Sequence, residues 1–279
     1  MTAVLGSVVI PAHNEETVIG QGLTALLMGF DPGALEIVVV CNGCNDRTAD
    51  VARRPGVTVV SLEVASKPAA LRAGERHTDA FPRLYLDADV VLPASSVRAV
   101  LGRLRAEGSL AARPPIRYET GKASGLVRSY YRARARNTAV MSSLWGAGVY
   151  GLSSSGRARF EKFPDLVADD LFVDGLFGAS EIELVDCAPA IVTTPRTSRD
   201  LVRVMRRLNR GNREHGSTDW AHGYSTTGST LRGVLRSAKS SPAAALDAST
   251  YLGLATVGRL RSRVERPVRW ERDESSRVG

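Results

Sequence analysis

Apolar and polar residues fall in short blocks along the first ninety or so positions, and the blocks change period. Ser7 to Pro11 is a β-branched run closed by proline, which predicts a first buried strand. The polar stretch Ala12-His13-Asn14-Glu15-Glu16 follows. Val18, Ile19, Leu23, Leu26 and Leu27 then share one helical face, with Asn14 placed to cap that helix. Glu36 to Cys41 carries almost no polar residue, as expected of a parallel strand covered on both faces. It runs into the polar turn Asn42 to Thr48, a helix through Val51 and Ala52, and a third strand at Val57 to Leu62. Lys67 to Gly74 opens another helix, with Pro68 suited to its first turn. Leu84-Tyr85-Leu86 is a fourth apolar strand. Four strand-helix alternations predict an α/β, doubly wound, mostly parallel sheet with flanking helices. Such sheets bind ligands at the C-terminal ends of their strands. Here those ends carry Pro11 to Glu15, Asn42 to Asp46, Lys67, and Asp87 with Asp89.

The pattern continues less regularly. Ser109 to Tyr118 predicts a strand running into a loop, and Gly125 to Met141 a helix studded with arginines. Leu144 to Ser153 holds three glycines among small residues, a composition that lets backbone pass close to a ligand or another strand. Trp145 suits stacking on a sugar and packing in a core equally. Asp169 and Asp170 open an apolar helical run, where the helix dipole favours acids in any case. Glu183 to Val192 predicts a returning strand, and Leu201 to Arg213 a basic helix. Ser217 to Ser241, rich in Ser, Thr and Gly, predicts a mobile loop. Pro242 to Val264 predicts a C-terminal helix, able to dock on the domain or lie at an anionic membrane surface. Trp270 precedes a frayed terminus.

Composition narrows the reading. A hydrophobic fraction of 43% is ordinary for a globular chain. No signal-like start and no membrane-length apolar run are present, so a cytoplasmic location, or the inner face of a membrane, is expected. Three cysteines make no disulfide framework, and Cys41-x-x-Cys44 lacks the second pair that zinc requires. The net charge of +8 suits phosphate-bearing or lipid partners. The arginine clusters carry no zinc-finger or RNP-type signature, so nucleic acid is not the expected partner. There is no Gly-x-Gly-x-x-Gly after the first strand and no Gly-Lys-Ser/Thr loop, which disfavours dinucleotide oxidoreductases, P-loop NTPases and nucleotidyltransferases.

The candidate chemistry centres on Asp87-Ala88-Asp89. If the strand stays extended, residues i and i+2 share a side. Two hard oxygen ligands would then stand together, with small Ala88 leaving room, as Mn²⁺ or Mg²⁺ sites require. A solvated strand-end turn has the same local sequence.

Taken together, the motifs resemble the family 2 glycosyltransferases of the GT-A fold, in the non-processive bacterial form. The residues that carry the resemblance are Val9-Ile10-Pro11-Ala12-His13-Asn14-Glu15, Val40-Cys41-Asn42-Gly43-Cys44-Asn45-Asp46-Arg47-Thr48, Lys67 with Gly74, and Asp87-Ala88-Asp89, over roughly Ser7 to Arg213. The family often has Asp where this chain has Cys41, which shifts the expected base contacts to Asn42. The resemblance implies a nucleotide pocket lined by Pro11, Ala12, His13, Glu15, Asn42 and Asp46. It implies Lys67 near phosphate or ribose, and a divalent ion on Asp89 and, less directly, Asp87. It places the Gly-rich segment around Gly146, together with Ala88, beside the donor sugar. Asp170 corresponds to the family's general base, Asp169 to its positioning neighbour, and Arg207 or Arg210 would clamp the diphosphate. The Gln-x-x-Arg-Trp of processive members is absent.

The resemblance thus implies an inverting, metal-dependent transferase moving a sugar from a nucleoside diphosphate-sugar to a hydroxyl of a glycan, lipid-linked or small-molecule acceptor. A non-catalytic nucleotide- or partner-binding scaffold in polysaccharide assembly is the other reading. The paired carboxylates at Asp169 and Asp170 argue against it. The expected organisation is a domain over 1–215, with a nucleotide half at 1–92 and an acceptor half at 93–215, then a loop and helical extension over 216–279.

Overall fold

The computed structural model describes residues 4–166, 168–206 and 226–264. The first half is built from β1 (Ser7–Ala12), α1 (Ile19–Leu27), β2 (Glu36–Asn42), α2 (Thr48–Ala52), β3 (Val57–Leu62), α3 (Lys67–Glu75) and β4 (Arg83–Leu86). Next come β5 (Val90–Val91), α4 (Ala94–Leu104), β6 (Ala111–Arg113), β7 (Ile116–Glu119), α5 (Gly125–Ala135), α6 (Thr138–Met141), β8 (Val149–Leu152), α7 (Ser154–Arg157), α8 (Asp169–Asp174), β9 (Ile182–Leu184) and β10 (Ala190–Thr193). Residues 198–206 are helical (α9), followed by α10 (Thr226–Ala238) and α11 (Pro242–Val264).

The main sheet has seven strands in the order β3-β2-β1-β4-β8-β6-β9. Strands β1 to β4 are parallel, each joined by a crossover helix, and β9 is parallel to β6. Only β8 runs against its neighbours, β4 and β6. A second sheet has the order β5-β10-β7, with Ile191 opposite Val91 and Val192 opposite Val90. The sheet is therefore mostly parallel, as the sequence pattern predicts. β2 lies between β1 and β3, and its near-uniform apolarity follows from that central place.

Local chemistry explains the element starts. Ser66 caps α3 by accepting from the Ala69 amide at 3.3 Å, and Pro68 fills its first turn. A β-carbon at Gly74 would stand 2.4 Å from the Val9 side chain, so α3 lies on β1 only because that position is glycine. The predicted cap of α1 is corrected: α1 starts at Ile19, and the Asn14 side chain instead accepts from the Asn45 amide at 2.8 Å. Asn14 takes a positive φ of 53°, which turns its side chain toward the neighbouring loop. The predicted strand over Ser109 to Tyr118 is two strands, split by Pro114-Pro115. The helix predicted over Gly125 to Met141 breaks at Asn137, which caps α6 through Ala139.

Contacts divide the chain into two compact units. Unit 1 comprises Met1–Arg117 with Leu144–Val192, and unit 2 comprises Tyr118–Ser143 with Thr193–Gly279. The core of unit 1 gathers Val9, Leu71, Tyr85, Tyr150, Phe163, Phe172 and Val173. Each such side chain contributes roughly 1.5–3 kcal/mol by leaving water. In unit 2, Val127, Tyr130, Leu201, Met205, Val234 and Tyr251 pack together. The predicted loop over Ser217 to Ser241 is helical from Thr226 to Ala238, because Val234 has a buried place to fill and no proline interrupts the run. Residues 217–225 lie outside the described residues. α11 spans the predicted Pro242 to Val264 and packs on α5 within unit 2.

Candidate active site

The site lies in unit 1, at the C-terminal ends of the parallel strands. β4 stops at Leu86, and the chain turns at once, with the Val90 amide donating to the Asp87 carbonyl at 3.1 Å. Asp87 and Asp89 therefore sit on a turn, and the expectation that an extended strand aligns them is corrected. The Asp87 amide donates to the Gly148 carbonyl at 2.8 Å, which fastens this turn to the loop before β8. Gly148 has a φ of 66°, and a β-carbon there would meet Val90 at 2.6 Å and an Asp87 carboxylate oxygen at 3.4 Å. Only glycine allows that approach.

Lys67, at the start of α3, joins the two acidic segments. Its Nζ lies 2.7 Å from Asp87 Oδ1 and 2.8 Å from Asp169 Oδ1, and the side chain is 17% exposed. Burial alone would lower the Lys67 pKa, but Asp169, Asp87 and Asp170 outweigh it and hold the ammonium charged. Asp169 is buried and also accepts from the Tyr150 hydroxyl at 3.0 Å. Asp170, beside it, accepts from the Gly146 amide at 2.6 Å and from the Leu171 amide at 2.8 Å. Burial raises the pKa of both carboxylates, while Lys67 pulls in the opposite direction. One turn along α8, Asp174 accepts from the Leu144 amide at 2.6 Å. Two carboxylates four residues apart thus pin the loop 144–148 to α8.

Pro11, Lys67, Leu71, Asp87, Asp169 and Asp170 are among the residues around a small open cleft. Tyr85 and Tyr150 form part of its wall. They face one another in register across β4 and β8, with rings stacked 5.0 Å apart. Burial raises the pKa of each phenol, so both remain neutral donors. Tyr150, Asp174 and Gly148 are contributions that single-residue motifs do not flag. The signal for Tyr150 is its cross-strand pairing with Tyr85, which becomes visible only once the register is known.

The β1 and β2 ends form a second, adjoining cluster. Asn42 is 1% exposed; its amide donates to the Ala12 carbonyl at 2.8 Å and accepts from the Ser66 amide at 3.0 Å. It holds together the ends of β1 and β2 and the start of α3, so it shapes the pocket through backbone rather than presenting a free amide. The His13 Nδ1 pairs with the Asn42 carbonyl at 2.7 Å. Asp46 accepts from the Thr48 amide at 3.0 Å and from the Glu16 amide at 3.3 Å, while the Glu15 amide donates to the Thr48 hydroxyl at 2.7 Å. Cys44 accepts from the Asn14 amide at 3.3 Å. Ala88 is buried, and Arg207 and Arg210 lie outside the described residues.

Asp87 and Asp89 offer the hard oxygens that Mn²⁺ or Mg²⁺ prefers, and both are partly exposed. Among the described residues no three His, Cys, Asp or Glu side chains gather as a metal cage. A cation held here would complete its shell with water and phosphate oxygens, which fits a two-carboxylate site.

A mostly parallel sheet with an inserted antiparallel strand, with acids at the strand ends, is an architecture of GT-A type. The Glycosyl transferase family 2 model matches residues 7–159, more than half of the chain, and the protein belongs to that family and is a glycosyltransferase. No curated protein matches it by sequence. Its fold is similar to the mannosyltransferase PcManGT of Pyrobaculum calidifontis in complex with GDP-Man and Mn²⁺. That likeness has a TM-score of 0.64 and 16% identity, covering 92% of this chain and 86% of the other. It is similar also to S. aureus TarS 1-349 in complex with UDP (TM-score 0.53, 15% identity, 96% and 94% covered). A third likeness is to the glucosyl-3-phosphoglycerate synthase of Mycobacterium tuberculosis with Mn²⁺, UDP-Glc and phosphoglyceric acid (TM-score 0.51, 22% identity, 76% and 80% covered). Among the described residues no helix is long and apolar enough to cross a membrane.

Proposed function

We propose that this glycosyltransferase is inverting, non-processive and dependent on a divalent cation, and that it transfers a sugar from a nucleoside diphosphate-sugar to an acceptor hydroxyl. The observation that carries the reading is Lys67 shared between Asp87 and Asp169, with Asp170 beside them on one cavity. A surplus of carboxylates around one lysine suits a site that binds a cation with its anion and also handles a proton.

Each residue has a part in this reading. The β1 and β2 ends, with Pro11, Ala12, His13, Glu15, Asn42 and Asp46, frame the base and ribose. Lys67 turns from Asp87 toward a phosphate when donor binds. Asp87 and Asp89 would hold the Mn²⁺ or Mg²⁺, whose chemistry when bound is to neutralise the departing diphosphate. Arg207 or Arg210 would add a clamp on the same phosphates. Asp170 takes the proton of the acceptor hydroxyl; its raised pKa makes it a better base than an exposed aspartate. Attack opposite the leaving group inverts the anomeric carbon. Asp169, fixed by Tyr150 and Lys67, orients the pair. Gly146, tied to Asp170 through its amide, lines the sugar position. The half at 1–92 serves the nucleotide and the half at 93–215 the acceptor. The acceptor is a glycan, a lipid-linked sugar or a small molecule.

The similar structures hold GDP-Man, UDP and UDP-Glc, two of them with Mn²⁺, which makes guanine and uracil the first bases to test. Thermal shift against UDP, GDP, dTDP, CDP and ADP, with Mn²⁺ or with EDTA, identifies the base and the metal requirement. With the donor found, Asp170→Asn is expected to lower transfer by roughly 10²–10⁴-fold while leaving that shift intact. Wild-type turnover in the variant would remove the base assignment. A metal-independent shift would remove the cation.

A further inference from the structure

We propose that the exposed faces of α10 and α11 in unit 2 form a docking surface for an anionic lipid bilayer. Large apolar residues on the surface are unusual when they gather with one sign of charge. On α10, Leu231 (42% exposed) and Leu235 (49%) stand four residues apart on one face, and exposed Lys239 lies in the turn just past the helix. Arg232 and Arg236 repeat that spacing one position on, and both are exposed. The buried side of the helix is marked by Val234, which packs into the core of unit 2.

α11 carries its own stripe. Leu246 (68% exposed), Val257 and Leu260 (56%) recur at spacings of eleven and three, which brings them to one helical face. Gly253 interrupts this stripe with open space above it, and Arg261 is exposed at its edge. Ala244, Ala248 and Tyr251 are buried on the opposite side, the last two in the core of unit 2 with α5.

Charge selects the occupant. The only acid on either helix is Asp247, which is buried and held by Ser129, Arg132 and Arg136. The exposed faces therefore present leucines and cations with no anion among them. A second copy of the chain would set arginine against arginine with no acid to pair. Duplex nucleic acid would satisfy the cations and leave the leucines in water. A bilayer with anionic headgroups satisfies both: leucines enter the acyl boundary while arginine and lysine stay at the phosphates. The surface is a peripheral anchor, lying in the interface plane.

The test is co-sedimentation of the full chain with phosphatidylcholine vesicles and with vesicles that are roughly one-third phosphatidylglycerol. Preferential binding to the anionic vesicles, weakened by salt, is expected. One cation near such a surface is worth about fivefold in affinity, so R232E/R236E/K239E is expected to lose at least about a hundredfold. L231S/L235S is expected to lose about tenfold or more with the charges intact. Far-ultraviolet circular dichroism and urea unfolding report folding of both variants, and vesicle binding is read without donor or transfer. Equal binding to neutral vesicles, or binding that survives both variants, would overturn the proposal. So would a dimer dissolved by L231S/L235S without vesicle binding, or displacement by duplex DNA that is indifferent to the leucines.

Discussion

Two buried carboxylate clusters, one in each unit, are arranged in opposite ways. In unit 2, one carboxylate, Asp247, has three partners: the Ser129 hydroxyl at 2.6 Å, Arg132 at 2.7 Å and Arg136 at 2.7 Å. These partners hold its pKa well below the ordinary carboxylate range. In unit 1 the ratio is reversed: two carboxylates share one lysine, a third adjoins them, and burial drives Asp169 and Asp170 up. A saturated acid is a clamp between helices. An undersupplied cluster is a place where a ligand supplies what the protein withholds.

Removing the scarce partner should have the largest effect. Lys67→Met leaves Asp169 facing Asp87 and Asp170 in a poorly hydrated place, and about 3 kcal/mol of stability is expected to be lost. Urea unfolding measures it, and a loss below about 1 kcal/mol would mean that the lysine is not the keystone of the cluster. Asp247→Ala removes the clamp. Its arginines can reach water, so about 2–3 kcal/mol is expected, with transfer per folded molecule unchanged. The acid's depressed pKa fixes the pH dependence. Its contribution is present above the unfolded aspartate pKa of about 3.9 and fades as pH falls below that. Wild type should therefore lose more stability than Asp247→Ala on acidification from pH 5 to 3, and parallel losses would show that the clamp is not electrostatic.

The smallest effect concerns Cys44, at the β2 end. Its thiolate accepts a hydrogen bond from Cys41, and with help from the Asn14 amide its pKa is lowered to about 6 despite partial burial. Cys41, hydrogen-bonded to Cys44 and buried, is pushed far up, and burial also raises Cys187. Iodoacetamide labelling at pH 7, read by mass spectrometry, should mark Cys44 first. Faster labelling of Cys187 would show that the pocket does not stabilise a thiolate.

The alternating strands were legible because β1 and β2 are apolar runs with polar ends, buried along nearly their whole length, while β3 at the sheet edge keeps the β-branched composition of a strand. The acids at 87, 89, 169 and 170 were legible as motifs. Their mutual arrangement was not. Asp87 and Asp89 turn as soon as β4 ends, and nothing in the local composition distinguishes that from continued extension. Lys67 was legible as a cation of the site, but its sharing between Asp87 and Asp169 was not, because that follows from the packing of α3. The Ser, Thr and Gly content of α10 masks the Leu231, Val234, Leu235 spacing and reads as loop, and packing overrides propensity there. Asn42 was read by its hydrogen-bonding capacity, and the backbone ends around it claim that capacity first.

The antiparallel placement of β8 has a consequence for the order in which the protein matures. β1, β2 and β3 can pair in succession as the chain is made, each with a neighbour near in sequence, whereas β4 crosses back to β1 and β8 follows it. The Gly148 carbonyl that fixes Asp87, and the Asp169 that engages Lys67, arrive only after the long stretch between β4 and β8 has been closed. Closing so distant a contact is slow relative to local pairing. The ends of β1 and β2 thus form early, and the carboxylate cluster around Lys67 is completed late, as one of the last steps of folding.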